Sequence, residues 1–92
     1  MSYNVSARSS VVKNAHEVCS EAVNDLNSAV SRLQQRYQQA GEKWKDNKYA
    51  QLGGIVQECS NALKKPIEEL SACLGKLKEL ETVLLEYEST NL

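Results

Sequence analysis

The sequence has little of what an enzyme or a metalloprotein needs. It contains a single histidine, His16, and three cysteines, Cys19, Cys59 and Cys73, which lie far apart and form no CxxC pair. Zinc sites use clustered Cys and His ligands, and catalysis needs a nucleophile or an acid/base pair held together in a pocket. We therefore expect no enzymatic activity, no metal and no cofactor. We expect the three cysteines to be buried free thiols.

Excess charge and long hydrophobic runs are also lacking. Eleven Lys and Arg residues nearly balance 12 Asp and Glu residues, which gives a net charge of −1 over 92 residues. Proteins bind nucleic acid and anionic lipid through concentrated positive charge, so neither is an expected partner. The longest apolar runs, such as residues 83–85, are far shorter than the roughly 18 to 20 residues of a membrane span, so no membrane insertion is expected. Residues 1–10 lack the apolar core of a Sec signal peptide, so any export would need another route.

Phenylalanine is absent, proline occurs once and glycine four times, a composition that favours long helices. In the first half, apolar residues recur at steps of three and four, which is the period of a helix. This stripe consists of Ala15, Cys19, Ala22, Leu26, Ala29, Leu33, Tyr37, Ala40 and Trp44. The pattern predicts a first helix over about residues 6–40. Ser6 or Ser9 would cap its start, and Gly41 would end it in the left-handed region.

A second helix is predicted over about residues 46–88, with Asp46 as its N-cap. Its apolar seam again alternates steps of three and four: Tyr49, Leu52, Val56, Cys59, Leu63, Pro66, Leu70, Cys73, Leu77, Leu80, Leu84 and Tyr87. Pro66 predicts a kink near residues 61–65, and because the register resumes beyond it, we expect one bent helix. Gly53 and Gly54 mark either a close-packing spot or a soft first turn.

The short connection, about residues 41–45, requires the two helices to lie antiparallel. The predicted fold is therefore all-α, an antiparallel two-helix hairpin that forms a single domain over residues 1–92. Additional apolar residues widen the arcs to roughly 140° and 160°, more than one neighbouring helix covers. We expect two hairpins, identical or homologous, to pair into a dimeric four-helix bundle. Six flanking residues are the predicted dimer interface: Val12, Val23, Val30, Ile55, Ile67 and Leu74.

Trp44, Asp46 and Tyr49 lie close together at the predicted bend. Trp44 can pack against Tyr49 or Leu52, while its indole N–H reaches water or a partner. Two interpretations stay open, and both can hold: this cluster closes the end of the bundle, or it is a recognition surface for a partner.

With two long helices and a Trp at the bend between them, the chain resembles the WXG100 (ESAT-6-like) family. Members of that family are substrates of type VII secretion in actinobacteria and Gram-positive bacteria. The resemblance covers nearly the whole chain in architecture, but its side chains are confined to the segment Trp44-Lys45-Asp46-Asn47-Lys48-Tyr49. Asp46 stands where the family usually has Gly, similar to the W-x-D turn of divergent members. Members often carry a C-terminal Y-x-x-x-D/E export signal. Here Tyr87 is in place, but Asn91 occupies the position of the acid.

The resemblance implies a protein secreted by a non-Sec route, with a cytoplasmic pool before export. It implies export alone or as the escort of a larger effector, with that effector and the secretion ATPase as further partners. It assigns recognition to Trp44, Asp46, Tyr49 and Tyr87, and a partner chain could carry the missing acid. The alternative is a cytoplasmic helical adaptor or coiled-coil subunit with no export role.

Overall fold

The computed structural model describes the backbone of residues 2–90 and the side chains of residues 8–90. Helix α1 spans Ser2–Ala40 and helix α2 spans Asn47–Thr90, and residues 2–90 contain no strand. The two helices pack as an antiparallel hairpin, which confirms the predicted fold class. Because α1 already begins at Ser2, the prediction that Ser6 or Ser9 caps it is wrong.

The hairpin divides into two compact units, each of which pairs a segment of α1 with a segment of α2. The bend unit comprises residues Asn24–Glu68. Within it, the ring of Tyr37 stacks on that of Tyr49, and the Gln34 side-chain amide donates to Ser60 Oγ at 3.4 Å. Moving back along α1 therefore moves forward along α2, as antiparallel packing requires.

The terminal unit comprises Met1–Val23 together with Glu69–Leu92. Two polar contacts join its helical segments: the Cys19 thiol donates to the Leu70 carbonyl at 3.5 Å, and His16 Nδ1 lies 2.8 Å from Glu81 Oε1. No stretch of either helix within residues 2–90 is apolar enough over a sufficient length to cross a membrane.

The bend between the helices consists of residues 41–46. Gly41 does follow the last residue of α1, but no residue from 2 to 90 has a positive φ, so the predicted left-handed conformation is wrong. The chain instead leaves α1 through tight turns, in which Gly41 N donates to Tyr37 O at 3.2 Å and Trp44 N to Ala40 O at 3.0 Å. Helix α2 continues through Pro66 as one helix, while the kink there stays a prediction.

The core of this chain is thin. Val23 and Val56 are the only buried hydrophobic side chains among the described residues, at 9% and 7% exposure, and none of the described side chains is fully buried. A hairpin of two helices has one contact face per helix, so most of its apolar side chains stay partly exposed to solvent.

From Cys59 onward, every second residue of the predicted seam of α2 is exposed, and the inner face is shifted there by one residue. Cys59, Cys73, Leu80 and Tyr87 are exposed, and the residues that directly follow them turn inward instead: Ser60, Leu74, Glu81 and Glu88. Ser60 and Leu74 are small or apolar, so the spacing at these two positions fits either of two neighbouring seams, whereas Glu81 and Glu88 are carboxylates that an apolar pattern does not predict. The three thiols are free, as expected, but the prediction that all are buried is wrong for Cys59 and Cys73.

Burial within the chain also bears on the residues predicted to form the dimer interface. Val23 is buried within its own chain, and four other interface residues are half-buried: Val12, Val30, Ile67 and Leu74. Ile55 alone of the six is largely exposed, at 56%. The large hydrophobic side chains that α1 and α2 do expose are Val11, Val18, Leu33, Ile55, Leu80, Val83, Leu85 and Tyr87. Contact of any of them with a second chain stays a prediction.

Candidate recognition site at the helical bend

Asp46 organises the bend by capping α2. Its Oδ1 accepts hydrogen bonds from the backbone amides of Lys48 at 2.9 Å and Tyr49 at 3.2 Å. These are amides of the first helical turn, which lack the carbonyl four residues earlier that pairs amides in the helix interior, and the carboxylate also lies at the positive end of the helix dipole. The geometry confirms Asp46 as the N-cap.

The same Asp46 oxygen also holds Trp44. The indole Nε1–H donates to Oδ1 at 2.7 Å, so the prediction that this donor reaches water or a partner is wrong. Trp44 nevertheless keeps 39% of its surface exposed. Because the one polar group of its side chain is already bonded within the chain, the rest of the indole offers only ring carbon to a partner.

Two tyrosines pack behind Trp44. The Tyr37 and Tyr49 rings stack with centroids 4.4 Å apart and an angle of 8° between their planes, and the Tyr49 hydroxyl donates to the Tyr37 carbonyl at 2.8 Å. The Trp44 ring tilts against Tyr49 at 5.8 Å and 54°, which confirms the predicted packing of these two side chains. The three rings join the end of α1, the bend and the start of α2.

Two glycines make room for these tyrosines. A Cβ atom on Gly41 would lie 2.7 Å from Tyr49 Cζ, and a Cβ atom on Gly53 would lie 2.8 Å from Tyr37 Cζ. Each phenol thus lies over a glycine on the other arm of the helical hairpin. We call these four residues the tyrosine clasp: Tyr37, Gly41, Tyr49 and Gly53. Of the two interpretations of the glycine pair, close packing applies to Gly53, whereas a Cβ on Gly54 would meet nothing within 4 Å.

Burial within the clasp raises the pKa of Tyr49, and the neighbouring Tyr37 phenol raises it further through a hydrogen bond and through charge repulsion. The folded chain thus favours the neutral phenol over the phenolate. The neutral Tyr49 phenol makes its full contribution to stability below pH 10, the ordinary pKa of tyrosine. That contribution is lost as the pH rises above 10 and passes through the raised pKa of Tyr49 in the folded chain.

Tyr87, the fourth predicted recognition residue, belongs to the terminal unit and not to the bend unit. It lies on α2 and is 54% exposed. Asn91, which stands at the position of the acid in the expected export signal, lies outside the described residues. The bend site therefore consists of Trp44, Asp46 and Tyr49 from the prediction, joined by Tyr37, Gly41 and Gly53, whose contacts across the bend the sequence did not reveal.

The bend cluster combines three packed aromatic rings with the Asp46 carboxylate. Within the described residues, no group of three or more His, Cys, Asp or Glu side chains could hold a metal ion.

Comparison of the chain with protein-family models, with curated proteins and with solved structures finds no match.

Proposed function

We propose that this chain is a WXG100-like protein of type VII secretion, which pairs with a second helical hairpin and is exported alone or as the escort of a larger effector. The observation that carries the proposal is the state of Trp44. Its polar atom is bonded to Asp46 within the chain while 39% of its surface faces solvent. A side chain that served only to close the hairpin would gain more by burying its ring.

The hydrogen bonds of Asp46 also support the family resemblance at the position where the sequence departs from it. An Asp in place of the usual Gly holds the Trp of the turn and caps the following helix with one oxygen atom. The departure therefore has a structural role of its own. It is compatible with a turn that presents a Trp to a partner.

Pairing with a second hairpin is supported by the apolar surface that the chain leaves uncovered. Three valines keep more than half of their surface in solvent: Val11 at 66%, Val18 at 65% and Val83 at 59%. Monomeric soluble proteins rarely expose many large apolar side chains along one pair of helices, since each keeps hydrophobic surface in water. A second hairpin, identical or homologous, would cover part of this surface.

The experiment is to express Trp44→Ala in the native host and to measure its appearance in the culture medium and its binding to the effector encoded nearby. Circular dichroism and sedimentation first establish that the variant remains helical and associates like the parent. Trp44→Phe keeps an aromatic ring at the bend, and Glu79→Gln changes an exposed polar side chain of α2 away from the bend. We expect export or effector binding to collapse for Trp44→Ala and to persist for Glu79→Gln.

A folded Trp44→Ala protein that is exported and binds normally would show that Trp44 only closes the bend. Retention of the parent protein in the cytoplasm, with no type VII secretion genes nearby, would instead favour the helical adaptor. That second candidate shares the exposed apolar surface but assigns no export role to the bend.

A further inference from the structure

The charge of this chain is distributed unevenly, although its net charge is only −1. Residues 32–48 contain five basic and two acidic residues, and the rest of the chain contains six basic and ten acidic residues. The bend and the end of α1 therefore carry a net charge of +3, and the remainder carries −4. Local charge of this kind attracts an oppositely charged partner even when the whole molecule is nearly neutral.

Three of the basic residues flank the exposed Trp44 in the sequence. Lys43, Lys45 and Lys48 all lie within four positions of it, and all three are exposed; Glu42, also exposed, is the one acidic neighbour besides Asp46 in this segment. None of their side chains pairs with a carboxylate among residues 8–90. The carboxylate of Asp46 is close by but already accepts three N–H groups. We call Trp44 and these three lysines the lysine-rimmed face.

Trp44 is also held in place before any partner arrives. Its indole is fixed by the bond to Asp46 at 2.7 Å and by packing against Tyr49 at 5.8 Å. A partner that contacts a fixed ring pays little entropy for ordering it, and Trp is the residue most often found at the energetic centre of an interface. An aromatic centre with a charged rim is the usual anatomy of a protein interface.

We propose that the lysine-rimmed face binds an acidic segment of a partner protein, one in which an apolar or aromatic side chain packs on the Trp44 ring between Glu or Asp residues. This inference rests on the proposed role of the bend in partner recognition and adds the chemistry of the partner. A short acidic segment fits better than nucleic acid or an anionic membrane. The positive surface is small, and the ten acidic residues elsewhere repel an extended polyanion.

The test uses the full chain and a fluorescein-labelled twelve-residue peptide that alternates Glu with Leu and Tyr, followed by anisotropy at low salt. The triple variant Lys43→Gln, Lys45→Gln, Lys48→Gln removes the rim, and the variant Lys13→Gln, Lys76→Gln, Lys78→Gln changes the net charge equally at exposed positions elsewhere. We expect about a tenfold loss of affinity for the first variant, because each exposed ion pair contributes only about a twofold change in affinity, and little loss for the second. Trp44→Leu should weaken binding by about thirtyfold, and binding of the parent should shift the emission of Trp44, the single Trp of the chain.

Equal losses for the two triple variants would overturn the proposal, as would equal binding of a peptide with Gln in place of Glu. Tighter binding of a twelve-nucleotide oligothymidine, or of vesicles rich in phosphatidylglycerol, would also overturn it in favour of a general polyanion surface. These results are separable from the export experiment. Peptide binding that depends on the lysine rim, combined with normal secretion of Trp44→Ala, would retain the surface and reject its role in export.

Discussion

Replacing Asp46 tests whether one carboxylate oxygen holds the bend together. In the folded chain, Asp46 Oδ1 accepts from the Trp44 indole and from the amides of Lys48 and Tyr49. Asp46→Ala removes all three bonds at once. Asp46→Asn keeps an oxygen at the same place but removes its charge, so it is the matched control.

The expected cost of Asp46→Ala is a sum of three modest contributions. Loss of the N-cap costs about 1 kcal/mol, and loss of the charge at the start of α2 costs about 0.5 kcal/mol. The hydrogen bond to Trp44 adds about 1 kcal/mol or less, since the bend is exposed and water can replace part of it. We therefore expect a loss of about 2 kcal/mol in the free energy of unfolding for Asp46→Ala and about 0.5 kcal/mol for Asp46→Asn.

The assay is urea denaturation followed by circular dichroism, at one fixed protein concentration because association would stabilise the fold. The emission of Trp44 in the folded state gives a second readout, and Asp46→Ala should shift it to longer wavelength as the indole loses its partner. A double-mutant cycle with Trp44→Phe isolates the bond between these two side chains, and we expect a coupling of about 1 kcal/mol. A coupling near zero, or equal costs for the Ala and Asn variants, would refute the role assigned to Asp46.

The remaining predictions concern the glycines, the alkaline limit and the thiols. Gly53→Ala should destabilise the fold because its Cβ would overlap a phenol of α1, whereas Gly54→Ala, with open space around it, should stabilise α2 by about 0.8 kcal/mol; equal effects in urea denaturation would contradict this. Because the pKa of Tyr49 is raised, the stability difference between the parent and Tyr49→Phe should be constant below pH 10 and should shrink above it, and a difference that shrinks below pH 10 would have the wrong sign. Alkylation and mass spectrometry should find three free thiols, and an intact Cys19–Cys73 bridge would overturn that expectation.

The two helices and the N-cap of α2 could be predicted from the sequence because they depend on neighbouring residues. Asp46 was identified because it precedes an apolar period, and the end of α1 at Ala40 followed from the glycine after it. The start of α1 was placed too late, since a serine that could cap a helix is equally compatible with its interior. Ser9 lies inside α1 and is buried.

The tyrosine clasp could not be predicted from one helix at a time. Tyr49 lies over Gly41, and Tyr37 lies over Gly53, so each contact joins residues on opposite sides of the bend. The helical period reveals which face of a helix is apolar, but not which residue of the other helix it meets. The glycines were the available signal, because a glycine near a helix end marks either a turn or a close approach. The choice between two adjacent seams likewise depended on the partner helix, and so the exposure of Cys59 was missed.

We infer above all that the chain works as one half of a pair of helical hairpins. Sedimentation equilibrium of the full chain at micromolar concentration is the decisive measurement, because Val23 and Val56 are the only buried hydrophobic side chains among residues 8–90 of this 10.2 kDa chain. We expect a mass of about twice that value when no other hairpin is supplied, or association with a homologous hairpin when one is. A mass near 10.2 kDa together with a sharp thermal transition, unchanged when the homologous hairpin is added, would contradict it.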